Sequence, residues 1–131
     1  MTMGSCLCGA VAFEVGEING GVYKCHCSRC RKAFGGASSA AVLVDRDAFS
    51  WMRGEAEIRL YEVSSGFKRY FCQCCGSVLP QHVESLAMYW VPAGLFDEDP
   101  GVALSSHIYV ASKAAWEVLD EHTPCLQEGF V

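Results

Sequence analysis

Hydrophobic and polar positions alternate in short runs along most of this chain, and glycines or charged residues separate the runs. Ala10 to Val15 alternates and reads as a strand, because side chains on a strand point to opposite faces with a period of two. A turn is expected at Gly20 and Gly21, and Val22 to Lys24 leads as a strand into Cys25. Further strands are expected at Ser39 to Val44, Glu57 to Tyr61, Lys68 to Phe71, Val78 to His82 and Met88 to Val91. Asp45 to Asp47 and Arg53 to Glu55 punctuate them. Two stretches break the alternation. Ser28 to Phe34 reads as a helical turn closed by Gly35 and Gly36, and Ser112 to Asp120 as one short C-terminal helix. The expected class is mainly β.

Composition narrows this picture. With 131 residues, no internal repeat and no low-complexity linker, residues 1–131 are expected to form a single domain. Half of the residues are hydrophobic and 13 are glycine, which suits short strands joined by tight turns. The net charge is −5, from 15 acidic and 10 basic residues, so there is no electrostatic case for nucleic acid or an anionic membrane as partner. Met1 to Ser5 carries no apolar run resembling a signal peptide. The longest apolar stretches, Ala40 to Val44 and Met88 to Val91, are too short to span a bilayer. A cytoplasmic location is expected.

That location bears on the nine cysteines, because stable disulfides are uncommon in a reducing compartment and nine is an odd number. Seven of them, with Cys74 set aside, cluster as Cys6 and Cys8, as Cys25, Cys27 and Cys30, and as Cys72 and Cys75. In an extended segment Cys-x-Cys places both thiols on one face. In Cys72 to Cys75 the thiols converge at a tight turn that Gly76 permits. Thiolate clusters of this kind take zinc by default. Cys6, Cys8, Cys72 and Cys75 supply four ligands, the pattern of a closed structural site. Cys25, Cys27 and Cys30 supply three, the pattern of a catalytic site with one position open, unless His26 or His107 closes it. Cys74 reads as a bystander and Cys125 as a plain small residue.

These motifs make the chain recognisable. Gly4 to Gly9, Cys25 to Lys32, Phe71 to Ser77 and His107 to Lys113 resemble, in order, the motifs of the glutathione-dependent formaldehyde-activating enzyme family, which includes centromere protein V. Trp51, Gly54, Tyr61, Arg69 and Trp116 also fall where the family has similar residues. The resemblance implies a β-tent of folded-over antiparallel sheets. It also implies two zinc ions per chain: a structural one on Cys6, Cys8, Cys72 and Cys75, and a second on Cys25, Cys27 and Cys30. The implied activity is a carbon–sulfur lyase reaction in which the sulfur of glutathione adds to formaldehyde to give S-hydroxymethylglutathione. In that reaction Arg29, Arg31 and Lys32 would attract the substrate's carboxylates, and His107 would protonate the developing alkoxide as general acid. Trp51, Tyr61, Trp90 and Trp116 read as core or pocket wall. Two other readings fit the same clusters. One is a zinc-stabilised binding module without turnover, and the other a thiol-redox protein that cycles the middle cluster between dithiol and disulfide.

Overall fold

The apolar run from Ala40 to Val44 becomes the central strand of the largest sheet, with Ala41, Val42 and Val44 fully buried. A computed structural model describes residues 1–129. In chain order the strands are β1 (Thr2–Ser5), β2 (Ala12–Val15), β3 (Ile18–Cys25), β4 (Ser39–Asp45) and β5 (Phe49–Arg53). They continue as β6 (Ile58–Glu62), β7 (Lys68–Cys72), β8 (Gln81–Val83), β9 (Met88–Pro92) and β10 (Leu104–Ile108). One short helix, α1 (Ser28–Phe34), follows β3.

Three sheets result, with strand orders β1-β2-β5, β10-β3-β4-β9-β8 and β6-β7. The first two bury their apolar faces in one core. Phe13 and Val15 of β2 and Phe49 of β5 meet Val42 and Val44 of β4 and Val91 of β9. The Phe13 and Phe49 rings stack with centroids 5.5 Å apart, and Trp51 meets both edge-on. A second cluster of Cys6, Val11, Cys72 and Leu79 joins the N-terminal segment to the β6–β7 hairpin. The fold is mainly β and has the β-tent form expected from the sequence.

Four local expectations are corrected. Gly20 and Gly21 do not turn the chain; they lie inside β3 at a register shift opposite β4, and the missing Cβ of Gly21 lets the Ala103 carbonyl approach. The strand expected at Val78 to His82 contracts to Gln81–Val83, because Val78 forms only an isolated bridge with Phe71. One pairing is parallel, that of β10 with β3. The helix expected at Ser112 to Asp120 does not form: a short 3-10 turn ends at Ser112, and residues 113–120 are not helical. Only Ala114 is buried there while Trp116 and Val118 stay exposed, so a short helix would have no apolar face to bury against the body. The stretch runs instead toward Pro124 to Leu126, whose backbone pairs with His107. Three strands, Thr2–Ser5, Phe49–Arg53 and Leu104–Ile108, lie outside the expected ones. Among the described residues, no helix is long and apolar enough to cross a membrane.

Candidate metal centres and the adjoining cleft

Two chain reversals build the first sulfur cluster. After β1, the Gly9 amide donates to the Cys6 carbonyl at 3.0 Å, and after β7 the Gly76 amide donates to the Cys72 carbonyl at 2.7 Å. Both glycines have φ of +79°, a left-handed conformation that glycine reaches without Cβ strain. The reversals bring the sulfurs of Cys6, Cys8, Cys72 and Cys75 within 4.8 Å of one another. Cys6 and Cys8 sulfurs are 3.7 Å apart, and those of Cys8 and Cys72 are 3.8 Å apart. A disulfide would need about 2.05 Å, and all four thiols are free. A tetrahedral ion with zinc–sulfur bonds of about 2.3 Å has sulfurs about 3.8 Å apart, so the four-thiol set fits zinc. The Val11 amide also donates to Cys6 Sγ at 3.3 Å. The hydroxyl and amide of Ser77 pull the Cys75 thiol down to about 5.

The second cluster is made by the end of β3 and the start of α1. Cys27 caps α1 with an extended backbone and accepts the Cys30 amide on its sulfur at 3.3 Å. Gly35, with φ of 66°, closes the helix by donating to the Arg31 carbonyl at 2.8 Å. This single helical turn brings the sulfurs of Cys25, Cys27 and Cys30 within 4.8 Å of one another. Cys30 is pulled well below the ordinary thiol range, chiefly by the proton it shares with Cys25, whose own thiol is pushed far up. One thiol of this pair ionises readily and the other resists, a frustration that a divalent cation relieves by taking the proton's place. Among the described residues, neither His26 nor His107 joins the sulfur cluster.

Both histidines instead form a buried chain behind it. His26 Nε2 lies 2.9 Å from His107 Nδ1, and His107 Nε2 lies 3.0 Å from Asp120 Oδ1. His26 is fully buried, and burial, followed by the proximity of His107, lowers its pKa. Asp120 is held well below the usual carboxylate range, first by Thr123 and then by His107.

Cys25 and Cys30 open onto a cleft of about 520 Å³ between α1, β3 and the β6–β7 hairpin. Its wall includes Tyr23, Phe34, Tyr70 and Trp90, and the position of Trp90 agrees with its reading as pocket wall. Burial, aided by Cys25 and Cys30, raises the pKa of the Tyr23 hydroxyl, which stays protonated. Arg29 and Lys32 line a second pocket of about 370 Å³ beyond α1, where Arg29 lies 6.0 Å from the Phe67 ring centroid. Tyr61 lines that pocket too, whereas Trp51 belongs to the core and Trp116 is 70% exposed. Arg31 lines neither cavity, and its Nε is buried without a protein partner. Tyr23 and Gln81 also line the cleft, and nothing in the sequence marked them in advance; Arg69, which lines it too, was marked only by the family resemblance.

Comparison with known proteins agrees with the cysteine pattern. The family profile described as "Glutathione-dependent formaldehyde-activating enzyme" matches residues 1–112. The chain belongs to this family. A Halomonas elongata protein that carries the provisional name glutathione-dependent formaldehyde-activating enzyme is 34% identical over 82 residues, 58% of this chain and 52% of that protein. The chain thus spans about half the length of the curated relative it matches. A crystal structure of a Rhodobacter sphaeroides protein is similar with a TM-score of 0.61 and 28% identity, covering 77% of this chain and 90% of that one. Family members are expected to bind metal through these cysteines, and both clusters of this chain could hold an ion.

Proposed function

We propose that this chain joins a small thiol, such as glutathione, to an aldehyde, such as formaldehyde, as a carbon–sulfur lyase of the S-(hydroxymethyl)glutathione synthase type. On this reading residues 1–131 act as one domain in the cytoplasm and take two zinc ions, with neither nucleic acid nor membrane as partner. One observation carries the proposal: four sulfurs enclose the first centre, whereas only three gather at the second, where Cys25 and Cys30 face an apolar cleft. The first centre is then structural and the second catalytic.

The reaction needs no oxidant. The thiol gives up its proton, its sulfur bonds to the carbonyl carbon, and the carbonyl oxygen takes up a proton. Zinc held by Cys25, Cys27 and Cys30 would lower the pKa of a thiol presented at the remaining position, as it does for bound water. The chain's own residues prepare the place. α1 fixes Cys27 and Cys30 relative to each other through the Cys30 amide. Phe34, Tyr70 and Trp90 give the cleft a largely apolar wall beside Cys25 and Cys30. Arg29, Arg31 and Lys32 offset the charge of the thiolates, and Arg29 and Lys32, which line the neighbouring pocket, attract an acidic substrate. His107 has both ring nitrogens engaged, so we assign it the holding of His26, between two cysteines, in place of proton donation to substrate.

The test is cobalt substitution, because sulfur-to-cobalt charge-transfer bands report sulfur count and coordination number. Adding glutathione to the two-cobalt protein is expected to change the spectrum, and Cys27→Ser is expected to abolish that response. A spectrum that ignores every small thiol tried would overturn the lyase reading in favour of a binding module.

A further inference from the structure

The arginines of this chain divide by what their guanidinium groups touch. Arg53 donates to the Gly9 carbonyl at 3.0 Å, and Arg59 donates to the Ala56 carbonyl at 2.8 Å. Arg46 pairs with Asp47 at 3.7 Å. Arg31 and Arg69 each bury an Nε without an acceptor among the described residues, but Arg31 lines neither cavity. Arg69 stands near the start of β7, opposite Tyr61 of β6, and lines both cavities. Among the described residues no carboxylate pairs with it. A buried N–H of a guanidinium without a partner is costly, since a charged donor loses its water and gains nothing in return.

The position of Arg69 shows where a partner would come from. It lines both the cleft that contains Cys25 and Cys30 and the neighbouring pocket that contains Arg29 and Lys32. Among the described residues no Asp or Glu lines either cavity, although the chain has 15 acids and only 10 bases. Lys68 adds another cation to the cleft wall. The remaining walls are largely aromatic and aliphatic, so they contribute little to balance these charges and screen them poorly.

We infer that Arg69 is the specificity-determining residue of this site: it binds a carboxylate of the thiol substrate at the junction of the two cavities. The inference rests on the reading that the three-cysteine cluster receives a thiol. The substrate class is then an acidic thiol long enough to place its sulfur beside Cys25 and Cys30 and its carboxylate on Arg69. A further acidic group would extend toward Arg29 and Lys32. Neutral thiols of the same size leave the guanidinium unpaired and are disfavoured by that cost. A guanidinium suits the task because its planar fork can meet both oxygens of a carboxylate.

Calorimetric titration of the zinc-loaded full chain tests this, with glutathione and its neutralised diethyl ester as the two probes. Glutathione is expected to bind about tenfold to a hundredfold more tightly than the ester, the range for a hydrogen-bonded charge. Arg69→Gln is expected to abolish most of that preference by weakening glutathione while leaving the ester within about twofold to threefold. Equal binding of both probes to the wild type would overturn the role of Arg69 and leave the lyase reading standing. Binding of neither probe would overturn both. Should Arg69→Gln fail to fold, Arg69→Lys serves, since it keeps the charge but loses the fork. Glutathione affinity is then expected to fall several-fold with the ester unaffected, and an equal loss for both probes would overturn the inference.

Discussion

His26 Nε2 lies 2.9 Å from His107 Nδ1, although 81 residues separate them in the chain. The parallel pairing of β10 with β3 produces this meeting by placing Ile108 beside Cys25 and His107 beside Lys24. The His26 amide also donates to the Ile108 carbonyl at 2.9 Å. Through this bond the three-cysteine segment is fastened to the far edge of the large sheet. Asp120 fastens it in turn to the C-terminal segment, accepting the Thr123 amide at 2.7 Å.

Replacing His107 with alanine is therefore expected to cost about 1–3 kcal/mol, the range for leaving a buried polar partner unmade. His26 would lose the hydrogen-bond partner of its Nε2. Denaturant unfolding measures the loss. The zinc content is expected to stay at the parent value, since His107 lies outside the sulfur cluster. A variant as stable as the parent would show that this bond contributes nothing.

Asp120 gives the chain a pH dependence of known sign. Thr123 and His107 hold its carboxyl well below the usual range in the folded state, whereas in the unfolded chain it titrates near the ordinary value of about 4. A group depressed on folding stabilises the protein above the unfolded pKa and loses that contribution as pH falls through the folded one. The midpoint difference between the parent and Asp120→Asn is expected to be present at pH 6 and to shrink below about pH 4. Acid acts on the cysteine clusters of both proteins alike, so the difference isolates the carboxylate. A gap that widens as pH falls would reverse the assignment.

Gly54 and Gly35 offer a matched pair. Both have positive φ, of +81° and +66°, so an alanine at either carries the left-handed penalty of about 1–2 kcal/mol. Around Gly35 nothing lies within 4 Å of an added Cβ, whereas at Gly54 it would fall on the Ala10 carbonyl. Gly54→Ala is expected to be clearly the more destabilising of the two by denaturant unfolding, or to leave little soluble protein. Equal losses would show that the close approach to Ala10 relaxes freely.

The sequence made the cysteine sets legible because short spacing and a following glycine are local signals, and both Gly9 and Gly76 adopt the reversals that these spacings need. The strand expected at Ser39 to Val44 was legible as a short apolar run ended by charged residues, and it forms over Ser39–Asp45. What stayed hidden depends on contacts distant in sequence. The parallel β10–β3 pair cannot be read from a period of two, so the partner of His107 could not be foreseen. Ser112 to Asp120 offered helix-forming residues, but the body presents no surface to cover them. The family resemblance marked Arg69 but not its role, because its place at the junction of two cavities depends on residues of α1 and the β6–β7 hairpin that lie far apart in sequence.

The two cysteine clusters are expected to fail differently when a thiol is removed. Cys6 and Cys8 are separated from Cys72 and Cys75 by more than sixty residues, and Cys6 and Cys72 form a buried cluster with Val11 and Leu79 against which Cys75 packs. An ion there would close a long loop, and structural zinc contributes on the order of 10 kcal/mol to folding in small domains. The whole stability of a domain is only about 5–15 kcal/mol. Cys6→Ser or Cys75→Ser is therefore expected to leave the protein largely unfolded or with a far lower melting temperature. The middle cluster spans only six residues, and its segment is also held by the Cys30 amide and the His26–His107 bond. Cys27→Ser is expected to lower the zinc content from two ions to one and to remove activity, with a much smaller drop in melting temperature. Zinc analysis and thermal melting of the three variants, purified side by side, check both halves. If Cys27→Ser unfolds as readily as Cys6→Ser, the division into a structural and a catalytic centre does not hold.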